Sequence, residues 1–193
     1  MENENQNLDL TDEEIALLVQ KGNKEHFELI ITRYTDKLNR YLSKFLSNIE
    51  DKQDLLQDVF VKCFVNINNF DTDQKFSPWI YRIAHNEAVN LLKKNSNRPF
   101  SFDIFDEALS FAHPKAKEDS ESDSEKLLIK KYLDSVLEDI DTKYKEIVVL
   151  YFYEDMSYKD ISDVLKIPVS LVGVRLQKGK KEIKKILEEK NFN

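Results

Sequence analysis

The sequence predicts an all-α chain: two small helical domains joined by a flexible acidic linker. Only 3 glycines and 4 prolines stand among 193 residues, so little interrupts helix. Apolar residues recur at helical spacing through two long stretches. Between Asn95 and Lys126 that spacing lapses, and the run KAKEDSESDSEK is too polar to bury a core of its own. The domains so implied are 1–95 and 127–193, with 96–126 as the linker.

In the first domain the periodic stretches run from about Thr11 to Gly22, Lys24 to Asn48 and Asp51 to Asn68. In the third, Leu55, Leu56, Val59, Phe60, Cys63, Phe64 and Ile67 repeat at helical spacing, while Asp54, Gln57, Asp58 and Lys62 lie off that stripe. Their face reads either as an ordinary solvated surface or as a docking surface for a partner. In the second case Asp54, Gln57 and Asp58 are polar contacts and Val61 an exposed apolar one.

The fourth helix is the most informative. Phe70 to Ser77 mixes aromatics with turn formers, and Pro78 suits a first helical turn. Beyond it Trp79, Arg82, Asn86, Asn90 and Lys93 are spaced three, four, four and three apart, one stripe at about 3.6 residues per turn. Ile80, Ile83, Ala84, Ala88, Leu91 and Leu92 supply the neighbouring apolar face. A flat aromatic, a base-edge hydrogen-bonder and a cation are what holding an unpaired nucleic-acid strand requires. Burial of Trp79 in a core is the competing reading.

In the linker, the patch FSFDIFDEALSF docks on a domain or forms a short helix. The acidic residues Glu118, Asp119, Glu121, Asp123 and Glu125 could mimic nucleic acid in a basic channel, and a solvated tether is the simpler reading.

The second domain ends in a two-helix pattern. Ser157 with Asp160 three residues on is a capping-box variant, opening a helix whose Ile161, Val164 and Leu165 face inward. Ile167, Pro168 and Val169 interrupt it, and Ser170 can cap a second helix with Val172, Leu176, Gly179, Ile183 and Leu187 as its buried stripe. Helix, short turn and capped basic helix make a helix-turn-helix, whose second helix enters the major groove. The outward positions near its start are Leu171, Gly173, Val174, Arg175, Gln177 and Lys178. Arg175 suits guanine, Gln177 adenine, and Val174 or Leu171 a thymine methyl, while Lys178, Lys180 and Lys181 suit phosphates. Gly173 costs about 1 kcal/mol of helix stability relative to alanine, which a close approach to DNA would explain.

Charge is unevenly placed. The whole chain carries −7 with a pI near 5.1, awkward for a DNA-binder, yet Gly173 to Lys190 has seven cations against three anions. His26, His85 and His113 lack ligand spacing, Gly22, Gly173 and Gly179 form no phosphate-cradling loop, and no paired acid, base and nucleophile stand out. Neither a metal, a cofactor nor an enzymatic reaction is expected. Cys63 lies among apolar residues and reads as buried. No apolar run approaches the roughly 18 residues of a membrane span, and the start of the chain is too acidic for a secretion signal, so a cytosolic protein without membrane insertion is expected.

At the level of motifs the chain closely resembles an extracytoplasmic-function (ECF) sigma factor of the sigma-70 family. EEIALLVQKGNKEHFELIITRY looks like the family's opening helices, DLLQDVFVKCF its core-polymerase-binding helix, FSPWIYRIAHNEAVNLLKK its melting and minus-ten segment, and SYKDISDVLKIPVSLVGVRLQKGKKEIKKIL its minus-thirty-five-reading domain. The resemblance implies a region 2-like helical bundle and a region 4-like helix-turn-helix domain. It implies bacterial core RNA polymerase and promoter DNA as partners, with an anti-sigma factor as a further candidate. Asp54, Leu55, Gln57, Asp58, Phe60 and Val61 then fall at the polymerase-binding surface. Phe70, Lys75, Phe76, Trp79, Arg82, Asn86, Asn90 and Lys93 fall at the minus-ten DNA, with Asn86 matching an asparagine that helps read a flipped base. Ser170, Leu171, Gly173, Val174, Arg175, Gln177, Lys178, Lys180 and Lys181 fall at the minus-thirty-five DNA. Asp58 stands where glutamate is usual, Asn90 where aspartate is common, and Leu171, Gly173 and Val174 replace a frequent threonine, basic residue and serine. Two other readings remain: a conventional regulator binding duplex DNA through its last two helices, which has no use for the Trp79 to Lys93 stripe, and a helical scaffold, which has none for the basic helix-turn-helix.

Overall fold

The computed structural model describes residues 10–95 and 123–190. The chain divides between Arg98 and Pro99 into two compact units, and every regular element among the described residues is helical.

In the first unit, α1 (Asp12–Gln20) begins with a capping box in which Thr11 and Glu14 satisfy each other's backbone N–H groups. It ends at Gly22, whose φ of +102° lies in the left-handed region that glycine adopts without strain. A 3-10 turn (Lys24–His26) leads into α2 (Phe27–Ser43), which is shorter than its sequence pattern. The reason stands at Asn48, whose side chain accepts from the N–H groups of Glu50 and Asp51 and so starts a new helix, α3 (Ile49–Asn66). A second 3-10 turn (Ile67–Asn69) and a short loop precede α4 (Phe76–Asn95).

These helices bury one contiguous core. Ile15, Ile30, Leu38, Leu42, Val59, Cys63, Ile80 and Ala84 are all fully enclosed. Burial pushes the Cys63 thiol up to about 12, as an apolar site disfavours the thiolate. Helix α1 is tied to α2 by Asp12, which accepts from Arg33 Nη1 at 2.8 Å and from the Tyr34 hydroxyl at 2.7 Å. Burial, reinforced by the Asp12 carboxylate, raises the Tyr34 pKa above the ordinary tyrosine value.

The second unit opens with α5 (Asp123–Val136), so the last four residues of the stretch read as linker are helical. Ile129, Leu133 and Val136 give the helix a buried stripe. The FSFDIFDEALSF patch and the acidic residues before Asp123 lie outside the described residues. Helix α6 (Thr142–Phe152) carries five consecutive buried residues, Glu146 to Leu150, and forms the centre of this unit. Helix α7 (Tyr158–Leu165) starts at the Ser157–Asp160 capping box and stops at Lys166, whose φ is +56°. Helix α8 (Val169–Glu189) packs on α5, α6 and α7.

Helix α8 starts two residues earlier than a Ser170 cap requires. Pro168, in an extended conformation, is the N-cap, and its carbonyl accepts from Leu171 and Val172. Ser170 therefore sits inside the first turn, because the left-handed Lys166 turns the chain before Pro168 and leaves no room for a longer loop.

Candidate nucleic-acid interface

Helix α4 begins against an aromatic cluster. Phe76 is fully buried, with its ring 5.7 Å from Tyr34 and 5.2 Å from Phe70, and Trp79 completes the group at 5.0 Å from Phe70 and 5.4 Å from Phe76. Trp79 is only half-buried, so one part of its indole packs on the cluster while the rest meets solvent. Amphipathic aromatics stand this way where one face is apolar and the other receives a partner.

Along the same line Arg82 is half-buried, and Asn86, Asn90 and Lys93 are exposed. Lys75 is also exposed, in the preceding loop. Phe70 and Phe76 differ from expectation: both side chains lie in the core, so they support the indole rather than present a surface of their own. Residue type alone could not separate them from Trp79, because all three are aromatic and close in sequence.

The loop between the second 3-10 turn and α4 is held from outside. Gln20 Nε2 donates to the carbonyls of Ile67 and Phe70 at 2.7 and 2.8 Å, and the Phe76 N–H donates to Glu13 Oε1 at 2.8 Å. Within the loop, Asp71 accepts from the Asp73 N–H through its carboxylate and from the Gln74 N–H through its carbonyl, closing a tight turn. Sequence reasoning missed Glu13 and Gln20. They lie some fifty to sixty residues from their partners and read in the sequence as ordinary polar positions of α1.

On α3, Asp54, Gln57, Asp58 and Val61 are exposed, Val61 to 60%, and Val65 one turn further on is exposed to 69%. The result is a polar-to-apolar stripe along the outer face. Val65 was also missed, although its spacing of four from Val61 was the available signal. Leu55 is buried and Phe60 half-buried, so this part of the expected polymerase-binding surface belongs to the unit's own packing. An open cleft of about 320 Å³ runs between α3 and α4, lined by Asp51, Asp54, Leu55, Asp58, Glu87, Asn90, Leu91 and Lys94. Asn90 thus faces a mainly acidic cleft, which sets it apart electrostatically from Trp79, Arg82 and Asn86.

In the second unit the buried face of α8 is wider than a single stripe, since three helices pack on it. Besides Val172, Leu176, Gly179 and Ile183, it includes Leu171, Gly173, Arg175 and Lys180. Arg175 is only 4% exposed, and Lys180 Nζ lies 5.0 Å from the centre of the Tyr151 ring. These four positions, expected to face DNA, are turned largely inward. Gln177 and Lys181 are exposed, and Ser170, Val174 and Lys178 are half-buried, so of the nine expected positions these five keep a side chain at the surface. At Gly179 a Cβ has no room: it would meet Val148 Cγ2 at 2.8 Å and Tyr144 Cβ at 3.3 Å.

Among the described residues no group of His, Cys, Asp and Glu could hold a metal ion, and no helix is long and apolar enough to cross a membrane.

Comparison with known proteins gives two family matches in the order of the two units. The model described as Sigma-70 region 2 matches residues 30–98, and that described as Sigma-70, region 4 matches residues 130–183. The RNA polymerase sigma-H factor of Pseudomonas aeruginosa is 29% identical over 181 residues, spanning 92% of this chain and 94% of the relative. The ECF RNA polymerase sigma factor SigW of Bacillus subtilis is 27% identical over 185 residues, spanning 89% and 94%. Among solved structures, CnrH in complex with the cytosolic domain of CnrY aligns with a TM-score of 0.66 at 22% identity, over 92% of this chain and 97% of that one, a likeness of fold.

Proposed function

We propose a promoter-directing role for this chain, which belongs to the sigma-70 family of RNA polymerase sigma factors and within it to the extracytoplasmic-function class. It binds core RNA polymerase through the first unit, reads an upstream minus-thirty-five duplex with the second, and captures a melted minus-ten base with the first. The observation that carries this reading is the head of α4, where a half-exposed indole rests on buried aromatics with Arg82 and Asn86 one and two turns along.

The energetics suit strand capture without fuel. Extracting a base costs a few kcal/mol, and stacking on an aromatic returns about 1–3 kcal/mol per base. Binding energy can therefore open the duplex, and no covalent chemistry is required of this chain. The exposed stripe Asp54, Gln57, Asp58, Val61 and Val65 on α3 is the surface offered to the polymerase, its apolar end supplying area and its acidic end selecting a basic partner. On α8, Gln177 and Val174 are the base-reading candidates, with Lys178 and Lys181 on phosphates. An anti-sigma factor covering one of these surfaces is a further partner, and the site of action is the cytosol.

The test is run-off transcription from a genomic library with core polymerase, with and without this chain. Promoter-specific transcripts that depend on the chain are expected. Asn86→Ala should then reduce open-complex formation at those promoters while core polymerase binds as before. An equal loss of both would refute the assignment of Asn86.

A further inference from the structure

Helix α1 precedes the residues matched by the region 2 model, which begins at residue 30. It nevertheless supplies three hydrogen bonds to the ends of the loop that leads into α4. We infer that α1 is a positioning element for strand capture, in which Gln20 and Glu13 hold residues 67–76 in the shape that lets the exposed loop side chains select the base beside Trp79.

The loop's ends carry backbone groups that its own secondary structure serves only in part: the Ile67 carbonyl accepts the Phe70 N–H and keeps a second lone pair for another donor. The Ile67 and Phe70 carbonyls flank a short 3-10 turn, and the Phe76 N–H is the first of α4, which no intrahelical carbonyl can reach. An amide side chain has two N–H donors on one nitrogen, and Gln20 places that nitrogen within hydrogen-bond distance of both carbonyls. Glu13 adds a charge-assisted bond at the positive end of the α4 dipole. Opposite ends of one loop are thus fastened to one helix.

That helix is itself fixed. Its N-terminus is closed by the Thr11–Glu14 box, and Asp12 holds Arg33 and Tyr34 of α2. Between the fastened ends the Asp71 turn directs Asp71, Asp73, Gln74 and Lys75 to the surface, while Phe70 and Phe76 go inward. A loop free to move would lose conformational entropy on meeting a base, and that loss would weaken every base alike and blur the differences between them. A loop held beforehand keeps those differences, which is how supporting residues sharpen a recognition site.

The inference rests on the minus-ten reading given above, and the experiment separates the two. Holoenzyme assembled from the full chain is tested on fork-junction DNAs whose single-stranded minus-ten segment carries each of the four bases at each position. Gln20→Leu removes both donors at similar volume. Its preference between best and next-best base should fall by about fivefold, the equivalent of one net hydrogen bond, with affinity for core polymerase unchanged. Glu13→Leu should act in the same direction, and Glu13→Gln, which keeps an oxygen acceptor, should restore the preference. If Gln20→Leu does not fold, as judged by circular dichroism, the Glu13 pair decides. An equal loss on all DNAs, or an undiminished preference between best and next-best base, would overturn the inference, since support of the fold alone predicts one or the other. If the unaltered holoenzyme ranks no base at any position, the minus-ten reading itself fails.

Discussion

Adding one methyl group at Gly179 sets two effects of opposite sign against each other. Inside a helix, glycine is about 1 kcal/mol less favourable than alanine, so propensity alone makes Gly179→Ala stabilising. The new Cβ, however, would lie 2.8 Å from Val148 Cγ2 and 3.3 Å from Tyr144 Cβ, where apolar carbons settle at about 3.5–4.0 Å. Neither neighbour can yield easily. Val148 is fully buried and β-branched, so one rotamer dominates in a helix, and the Tyr144 Cβ is fixed to its backbone. Helix α8 must then draw away from α6, an overpacking penalty of about 1–3 kcal/mol. The expected net effect is a loss of about 1 kcal/mol, growing to about 3 kcal/mol for Gly179→Val. Native-state hydrogen exchange of the α8 amides in the full chain reads this unit directly. An increase in α8 protection on Gly179→Ala would refute the reasoning, because it would mean that propensity outweighs the close approach of the two helices.

Four other outcomes follow from the same structure. Phe76→Ala should cost about 3–5 kcal/mol in urea unfolding of the first unit, as expected for a fully buried aromatic, whereas Trp79→Ala should cost clearly less stability and show its effect in open-complex formation. Arg175→Ala should destabilise the second unit by about 2 kcal/mol by removing a packed stem, so its loss of promoter binding should track unfolding. Gln177→Ala should leave stability within about 0.5 kcal/mol and weaken discrimination at one upstream base pair by about 1–3 kcal/mol, measured by competition between duplexes. Alkaline stability should depend on Cys63: its folded pKa of about 12 lies above its unfolded value, so the folded state keeps a proton that the unfolded state loses. Its contribution is complete below about pH 9 and falls as pH rises toward 12, so Cys63→Ala should show a shallower decline in urea midpoint over that range.

The comparison of sequence with structure turns on particular residues. The Ser157–Asp160 box, the buried Cys63 and the α4 stripe were legible because each is written in local spacing, over at most a few turns of one helix. The inward positions of Leu171, Arg175 and Lys180 were not, since how much of α8 is covered depends on how many helices meet it. A heptad-like count gives the direction of a buried face and not its width. Ser170 was misplaced for a related reason: a cap is chosen by where the preceding turn leaves the chain, and here that is Pro168.

Sequence alone therefore determined that this chain is helical, that it has two units with an acidic stretch between, and which family its motifs resemble, because periodicity, capping and composition act over short distances. The tertiary structure decided which aromatic at the head of α4 faces solvent, that Gly179 lies hard against α6, and that α1 fastens the loop before Phe76. Those features join residues some thirty to sixty positions apart, and only the packing of whole helices brings such groups within bonding distance.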